Sequence, residues 1–396
     1  MSTTTPVKRA KPKFAVNLRQ YGILAALAII IMLFQILTDG RLLLPGNVNN
    51  LIQQNAYVLI LAIGMVIVII AGHIDLSVGS VVAMVGAVTA LSMSSWGMPW
   101  WAAVVIALLV GAAVGAWQGF WVAFVGIPAF IVTLAGMLIF RGLTLVLLTG
   151  GTISGLPSEF TAIGAGWLPA FLGEVGGRDV LTIALGVLTA LALIVQQLRS
   201  RATLRRLDLP REPIATLWIK SGIAAVAILW FAWLLSDYSG TPIILIVLAV
   251  LILGYTFLLN QTVFGRHVYA MGGNLFAAKM SGVKTQWVNF FIFVNMGVLA
   301  GLAGVVSTAR AGGAVASAGQ NYELDAIAAV FIGGAAVTGG VGTVIGAVIG
   351  ALVMGVLNMG LSILSVDAAW QMTIKGLVLL LAVAFDIFNK RRAGGR

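Results

Sequence analysis

Charge is what this chain has least of. Only 9% of its 396 residues are Asp, Glu, Lys or Arg, against about 25% in an ordinary soluble domain. Hydrophobic residues make up 60% and mean hydropathy is +1.07. No globule can bury that much apolar surface and still cover itself with polar groups, which excludes a soluble enzyme, a secreted scaffold and a disordered chain. Cysteine is absent, which removes disulfides, thiolate metal sites and cysteine nucleophiles. The two histidines, His73 and His267, leave little for a histidine metal centre. The phosphate-loop pattern G-x-x-x-x-G-K-S/T does not occur, so ATP is not bound by that route. There is no arginine ladder for voltage sensing and no dense set of buried carboxylates for a proton relay. What fits is an all-α, polytopic bundle with the bilayer as solvent and a single transmembrane domain over 1–396.

Apolar runs fall at about 21–37, 56–71, 78–93, 101–125, 129–149, 180–196, 217–235, 242–259, 288–308, 326–338, 343–364 and 370–388. A full crossing takes roughly 20 residues. The runs at 56–71, 78–93 and 326–338 are short and bounded by Gly and polar residues, which predicts broken or re-entrant helices. About ten crossings result, twelve at most. Most of the 23 basic residues sit in four places: the N-terminus (1–20), an Arg-rich loop (197–216), the loop 260–287 and the C-terminus. The alternate loops hold Arg41, Arg178 and Arg310 with most of the acids, among them Glu159, Glu174 and Glu323. The positive-inside rule then places both termini in the cytoplasm. It also makes the net charge of +11 a topology signal, not a nucleic-acid footprint. The first apolar run continues past its Ala26-Leu27-Ala28 triplet to Leu37, so it reads as an uncleaved span.

Four features depart from plain hydrophobicity. Gly72–Ser80 separates two apolar runs, and Asp75 suits the N-cap of a half-helix starting near Leu76. As a break inside the membrane it is a candidate for the translocation path, with Asp75, Ser77 and Gly79 as its polar or small positions and Thr133 and Asn295 as others within spans. The bland alternative is a capped kink. Arg141 lies mid-run and calls for an ion pair or carbonyl cap; Lys375, near a span end, can snorkel. Glycines recur every four residues at 111, 115 and 119 and at 342, 346 and 350, one face each, for close helix packing. Finally, the loop containing Gly265 and Arg266 is too apolar to be idle. Gly272-Gly273 breaks the chain, Asn274 is an N-cap and Gly282 a terminator. The helix between them has small residues at Ala277, Ala278 and Ser281 and apolar knobs at Leu275, Phe276 and Met280. A short capped helix of this kind suits a groove on a cytoplasmic partner. Lying flat on the bilayer would call for more basic residues.

Four segments, GHIDLSVGS (72–80), PAFIVTLAGMLIFRG (128–142), GRHVYAMGGNLFAAKMSGV (265–283) and ELDAIAAVFIGGAAVTGGVGTVIGA (323–347), closely resemble permease subunits of bacterial ABC importers for monosaccharides. These are the ribose, xylose, galactose and autoinducer-2 group. The likeness runs over nearly the whole chain, and the Arg-rich insertion at 197–216 resembles the xylose and multiple-sugar permeases. The resemblance implies a type II importer fold and a second permease copy, forming a homodimer in the bacterial inner membrane. It also implies a separate ATPase subunit holding ATP and Mg, and a periplasmic sugar-binding protein. It matches 272–282 to the coupling segment seated on the ATPase, and assigns no cofactor and no covalent catalysis to this chain. Arg41, Glu159, Glu174, Arg310 and Glu323 are the expected contacts to the binding protein. The reading weighed against it is an ion-coupled carrier for a small polar solute.

Overall fold

A computed structural model describes residues 18–149, 151–209 and 213–394. The basic N-terminal segment, Arg211 and Arg396 lie outside the described residues. In chain order the helices are α1 (Leu18–Leu37), α2 (Pro45–Ile70), α3 (Val78–Ser94), α4 (Trp100–Phe120), α5 (Ala129–Leu148), α6 (Ser158–Ala165), α7 (Val180–Arg206) and α8 (Ile214–Ser236). They continue with α9 (Ile243–Gln261), α10 (Val263–Gly273), α11 (Leu275–Met280), α12 (Thr285–Ala311), α13 (Tyr322–Ile332), α14 (Val344–Ile363) and α15 (Ala368–Gly394). A π-helical turn, Trp121–Val125, prolongs α4. Strands are minimal: β1 (Thr152–Ser154) pairs antiparallel with β4 (Gly313–Val315), and β2 (Glu174–Val175) with β3 (Arg178–Asp179). Among the described residues eight helices are long and apolar enough to cross a membrane, and three shorter apolar ones lie at Gly22–Leu37, Val78–Ser94 and Ala368–Ala384. The protein is a multi-pass helical bundle.

The chain divides into two compact units. The smaller, residues 1–21 and 170–241, is built on the hairpin of α7 and α8. Asp179 caps α7, accepting from the N–H groups of Leu181 (3.1 Å) and Thr182 (3.0 Å). Arg178 pairs with Asp237 at 3.0 Å and lies over the Trp233 ring. The Arg-rich stretch 197–216 is not the loop its charge suggested: α7 stays helical through Arg206. Its basic last turn favours this by complementing the negative helix end.

The larger unit, 22–169 and 242–396, is centred on α2 and α12. Helix α12 packs against α4, α3 and α2, while α13 sits between α14, α2 and α15. The first glycine ladder explains the tightest seam. A Cβ on Gly111 would meet the Gly297 carbonyl, one on Gly115 the Phe293 carbonyl, and one on Gly297 the Gly111 carbonyl. The second ladder does the same for α14: Gly350 lies on the Ala329 carbonyl and Gly346 on that of Gly333. The short runs at 78–93 and 326–338 are short helices, 17 and 11 residues long, each next to non-helical chain. The run at 56–71 is different. Helix α2 starts at Pro45 and is a full 26 residues, because the polar stretch before Ala56 is helical and turned inward. Asn49, Gln53 and Asn55 are all buried.

Gly115→Val should overpack the α4–α12 seam at a cost of about 1–3 kcal/mol, whereas Gly142→Val, with nothing within 4 Å of its Cβ position, should not. Thermal unfolding of the detergent-solubilised protein checks this. Equal melting temperatures for the two variants would refute the seam.

Candidate functional site

The break at 71–77 gathers most of the expected path residues. Helix α3 begins at Val78 with Ser77 as its N-cap, so Asp75 is not the cap residue. Its carboxylate accepts from the Ser77 N–H (2.8 Å) and from the Ser77 hydroxyl (2.6 Å). That hydroxyl in turn accepts from the Gln118 amide at 2.7 Å. Asp75, Ser77, Gln118 and Thr133 are all buried. Thr133 lies 3.4 Å from the Ile74 carbonyl, and Gly79 is pressed against Gly319 and Glu323. The network satisfies backbone groups freed by the break, as a bilayer interior demands. Asn295 lies apart from it, accepting from the Tyr255 hydroxyl. Arg141 caps carbonyls as expected, donating to Ala316 (3.0 Å) and Ala318 (2.6 Å).

A second polar region was not visible in the sequence. A cavity of about 310 Å³ lies among α2, α12, α14 and α15, with Gln53, Asn55, Ser307, Arg310, Asn358 and Gln371 in its wall. A neighbouring lobe of about 340 Å³ includes Asn321, Asp325 and Met372. Both lobes share Tyr57, Tyr322, Gln371 and Lys375. The tyrosine rings stack at 3.6 Å between centroids. Lys375 does not snorkel away: it pairs with Asp325 at 3.2 Å, and the Tyr57 hydroxyl donates to the same carboxylate oxygen at 3.0 Å. A buried carboxylate, only 2% exposed, holds the lysine there. The Asn358 amide donates to Asn55 at 3.2 Å. The signal that could have shown this region is the run Asn47–Asn55, whose density of Asn and Gln directly before an apolar stretch is unusual for a span, and of which Asn49, Gln53 and Asn55 are buried.

The segment 263–282 forms two helices. Asn274 caps α11 through the Ala277 N–H at 2.9 Å, and Gly282 follows the helix with φ +83°, the left-handed geometry a terminator needs. Leu275, Phe276 and Met280 are exposed, the last two by 74% and 73%. Ala277, Ser281, Gly273 and Arg266 are exposed too. Ala278 is buried in its own chain, so the free face is the apolar knobs, not the full small-residue side. Gly265 backs onto the Leu258 and Leu259 carbonyls. Gly272 is pressed on the Ile70 carbonyl and the Gly340 N–H, and that N–H donates to Ile70 at 2.8 Å. The Tyr269 hydroxyl donates to Gly342 at 2.7 Å. The end of α2, the α10 terminus and the loop between α13 and α14 are therefore tied backbone to backbone. The cavity lies toward the other end of α2: from Gln53 to Ile70 is about 26 Å at 1.5 Å per residue.

Of the expected binding-protein contacts, Arg41, Glu159 and Glu174 are exposed. Arg310 and Glu323 are half-buried. Arg310 lines the cavity and Glu323 lies over Gly79, because both helix ends turn inward there.

This is the architecture of a membrane-transport permease. Residues 47–383 match the family described as branched-chain amino acid transport system / permease component, and the chain belongs to that family. It is 42% identical over 378 residues to the xylose transport system permease protein XylH of Haemophilus influenzae, covering 96% of this chain and 98% of that one. It is 40% identical to XylH of Escherichia coli (96% and 94% covered) and 33% identical to the ribose import permease protein RbsC of Escherichia coli (88% and 87%). No solved structure matches the chain.

Removing Lys375 alone would leave Asp325, 2% exposed, buried without its countercharge, a loss of about 3–5 kcal/mol. Lys375→Met should therefore unfold at clearly lower temperature, and the double variant Lys375→Met, Asp325→Leu should recover much of that. A double variant no better than the single one would show that the pair is not what holds this region.

Proposed function

We infer that this chain is the membrane-spanning subunit of an ATP-driven importer for a monosaccharide of the xylose type. The observation that carries the reading is the 42% identity to a xylose permease along almost the full length of both chains. The family description names branched-chain amino acids, but the relatives described above match over most of their length and are sugar permeases, and the polar cavity suits a hydroxylated solute. The chain is a translocation subunit and not an enzyme. ATP and Mg belong to a partner ATPase, and a binding protein delivers the sugar, with Arg41, Glu159, Glu174, Arg310 and Glu323 as its candidate contacts. Two copies of the permease form a homodimer in the bacterial inner membrane, with both termini in the cytoplasm. The ion-coupled carrier is not the reading that the relatives favour.

In this scheme α11 is the docking element for the ATPase. Phe276 and Met280 project from a capped helix with no neighbour to cover them, the profile of hot-spot anchors. ATP-driven closure of the partner would push α10–α11. The push would pass through the Gly272–Ile70–Gly340 contact into α2 and the α13–α14 loop, because close-packed backbones cannot absorb it.

Two measurements test this. Phe276→Ser with Met280→Ser should weaken association with the ATPase by about a thousandfold, at roughly 2 kcal/mol for each buried anchor, and abolish ATP-driven xylose uptake while the permease still inserts. Undiminished ATPase association would remove α11 from the interface. A cysteine replacing Ser200, exposed near the basic end of α7, should react with a membrane-impermeant thiol reagent only after the membrane is opened. Labelling in intact cells would reverse the topology.

A further inference from the structure

We propose that the permease has a weak sugar-binding site of its own, in the 310 Å³ lobe between α2, α12, α14 and α15, with the Tyr57–Tyr322 stack and the Asp325–Lys375 pair as its inner partition. The proposal rests on the importer reading and adds to it a place where the permease itself contacts the solute.

Three observations point to a ligand. The first is size and lining. A volume of about 310 Å³ is at the lower end of the roughly 300–1,000 Å³ of small-molecule sites. Its wall is dominated by amides and hydroxyls. Such groups match a neutral polyol, whose hydroxyls each donate and accept. The second is unspent hydrogen-bonding capacity. The Asn358 Oδ1 and Arg310 Nε atoms have no partner, and on the neighbouring side neither has Asp325 Oδ1. Asn358 is 9% and Asp325 2% exposed. Buried polar groups in native proteins are almost always paired; among the described residues five further unpaired atoms lie elsewhere, on Trp121, Arg178, Ser221, Thr256 and Asn295, but two belong to wall residues of this lobe and one to a wall residue of the next. The third is the aromatic wall. The apolar C–H face of a sugar ring packs on an aromatic face while its hydroxyl edge meets polar groups, and the tyrosine pair borders both lobes.

The partition explains how one site can give way to the next. Tyr57, Tyr322 and Lys375 belong to both lobes, and Asp325 to the second. The Asp325 carboxylate holds both the Tyr57 hydroxyl and the Lys375 ammonium. A sugar hydroxyl can take the place of the Tyr57 hydroxyl on that carboxylate while Lys375 keeps its countercharge. A solute moving inward thus exchanges hydrogen bonds instead of losing them, as a membrane interior requires.

The test uses the full-length chain in lipid nanodiscs, without binding protein or ATPase, and D-xylose as the probe. Saturation-transfer NMR should show magnetisation passing from protein to sugar at millimolar D-xylose. Asn358→Leu, Arg310→Met and Gln54→Leu each remove one polar contact and should weaken the apparent affinity about five- to tenfold. Tyr57→Phe keeps the ring and should retain most of the signal. Gln54 is half-buried on the cavity wall, so its variant carries the test should the more buried ones fail to fold. Absence of transfer, transfer unchanged in every folded variant, or a stronger response to gluconate than to D-xylose would each overturn the proposal, the last by showing an anion site. The importer reading fails separately. Loss of ATP-driven uptake by the wild-type complex would sink that reading and leave the NMR signal in place. Intact uptake with no signal would sink the site alone.

Discussion

Hydrocarbon gives two apolar helices no reason to prefer each other over lipid, so helices in a bilayer are held by close packing and by hydrogen bonds. In this permease the close packing is backbone on backbone. Helices α4 and α12 meet where Gly111 and Gly297 face each other's carbonyls and Gly115 faces that of Phe293. The same device joins α14 to α13, and the α10 terminus to Ile70 and Gly340. A side chain at any of these points would hold the helices apart, and the elements beyond them would lose their register. The broken segment at 71–77, the partition at Asp325 and the exposed α11 all depend on those distances.

Those contacts also give the bundle its mechanical character. Flexible side chains between α10 and α2 would absorb a push delivered at α11. Peptide groups in contact do not, and the Gly340 N–H bond to Ile70 adds a directional tie. Helix α2 then runs from that junction to the cavity wall without a break. One rigid element therefore reaches both the surface where a cytoplasmic partner would act and the region where a solute would sit. Shear along glycine seams moves such elements past each other without opening voids.

Polar groups in the interior follow a second rule, that each must be answered. Asp75 is answered by Ser77, and Ser77 also by Gln118. Arg141 is answered by two carbonyls and Asp325 by Lys375 and Tyr57. Eight buried polar atoms among the described residues go unanswered, and three of them, on Arg310, Asn358 and Asp325, belong to the walls of the two adjoining lobes.

Composition and local signals were enough for the membrane class, the helical bundle and the α11 helix with its Asn274 cap and Gly282 terminator. They were enough because the bilayer forces helices on any chain this apolar, and because caps and terminators act through residues a few positions away. The glycine ladders were legible as faces for the same reason, though not the partners they meet. Other features depended on distant chain. The run Asn47–Asn55 reads as an interruption in one dimension, and only burial against α12, α14 and α15 makes it the polar wall of a cavity. Lys375 looks free to snorkel until Asp325, 50 residues away, is placed beside it. Arg310 and Glu323 read as loop charges, and packing half-buries them, one beside the cavity and one over Gly79. Hydropathy records how apolar a residue is; which neighbour it meets across the bundle is decided by tertiary packing, and that neighbour sets whether a polar residue in a membrane is a loop, a latch or a binding group.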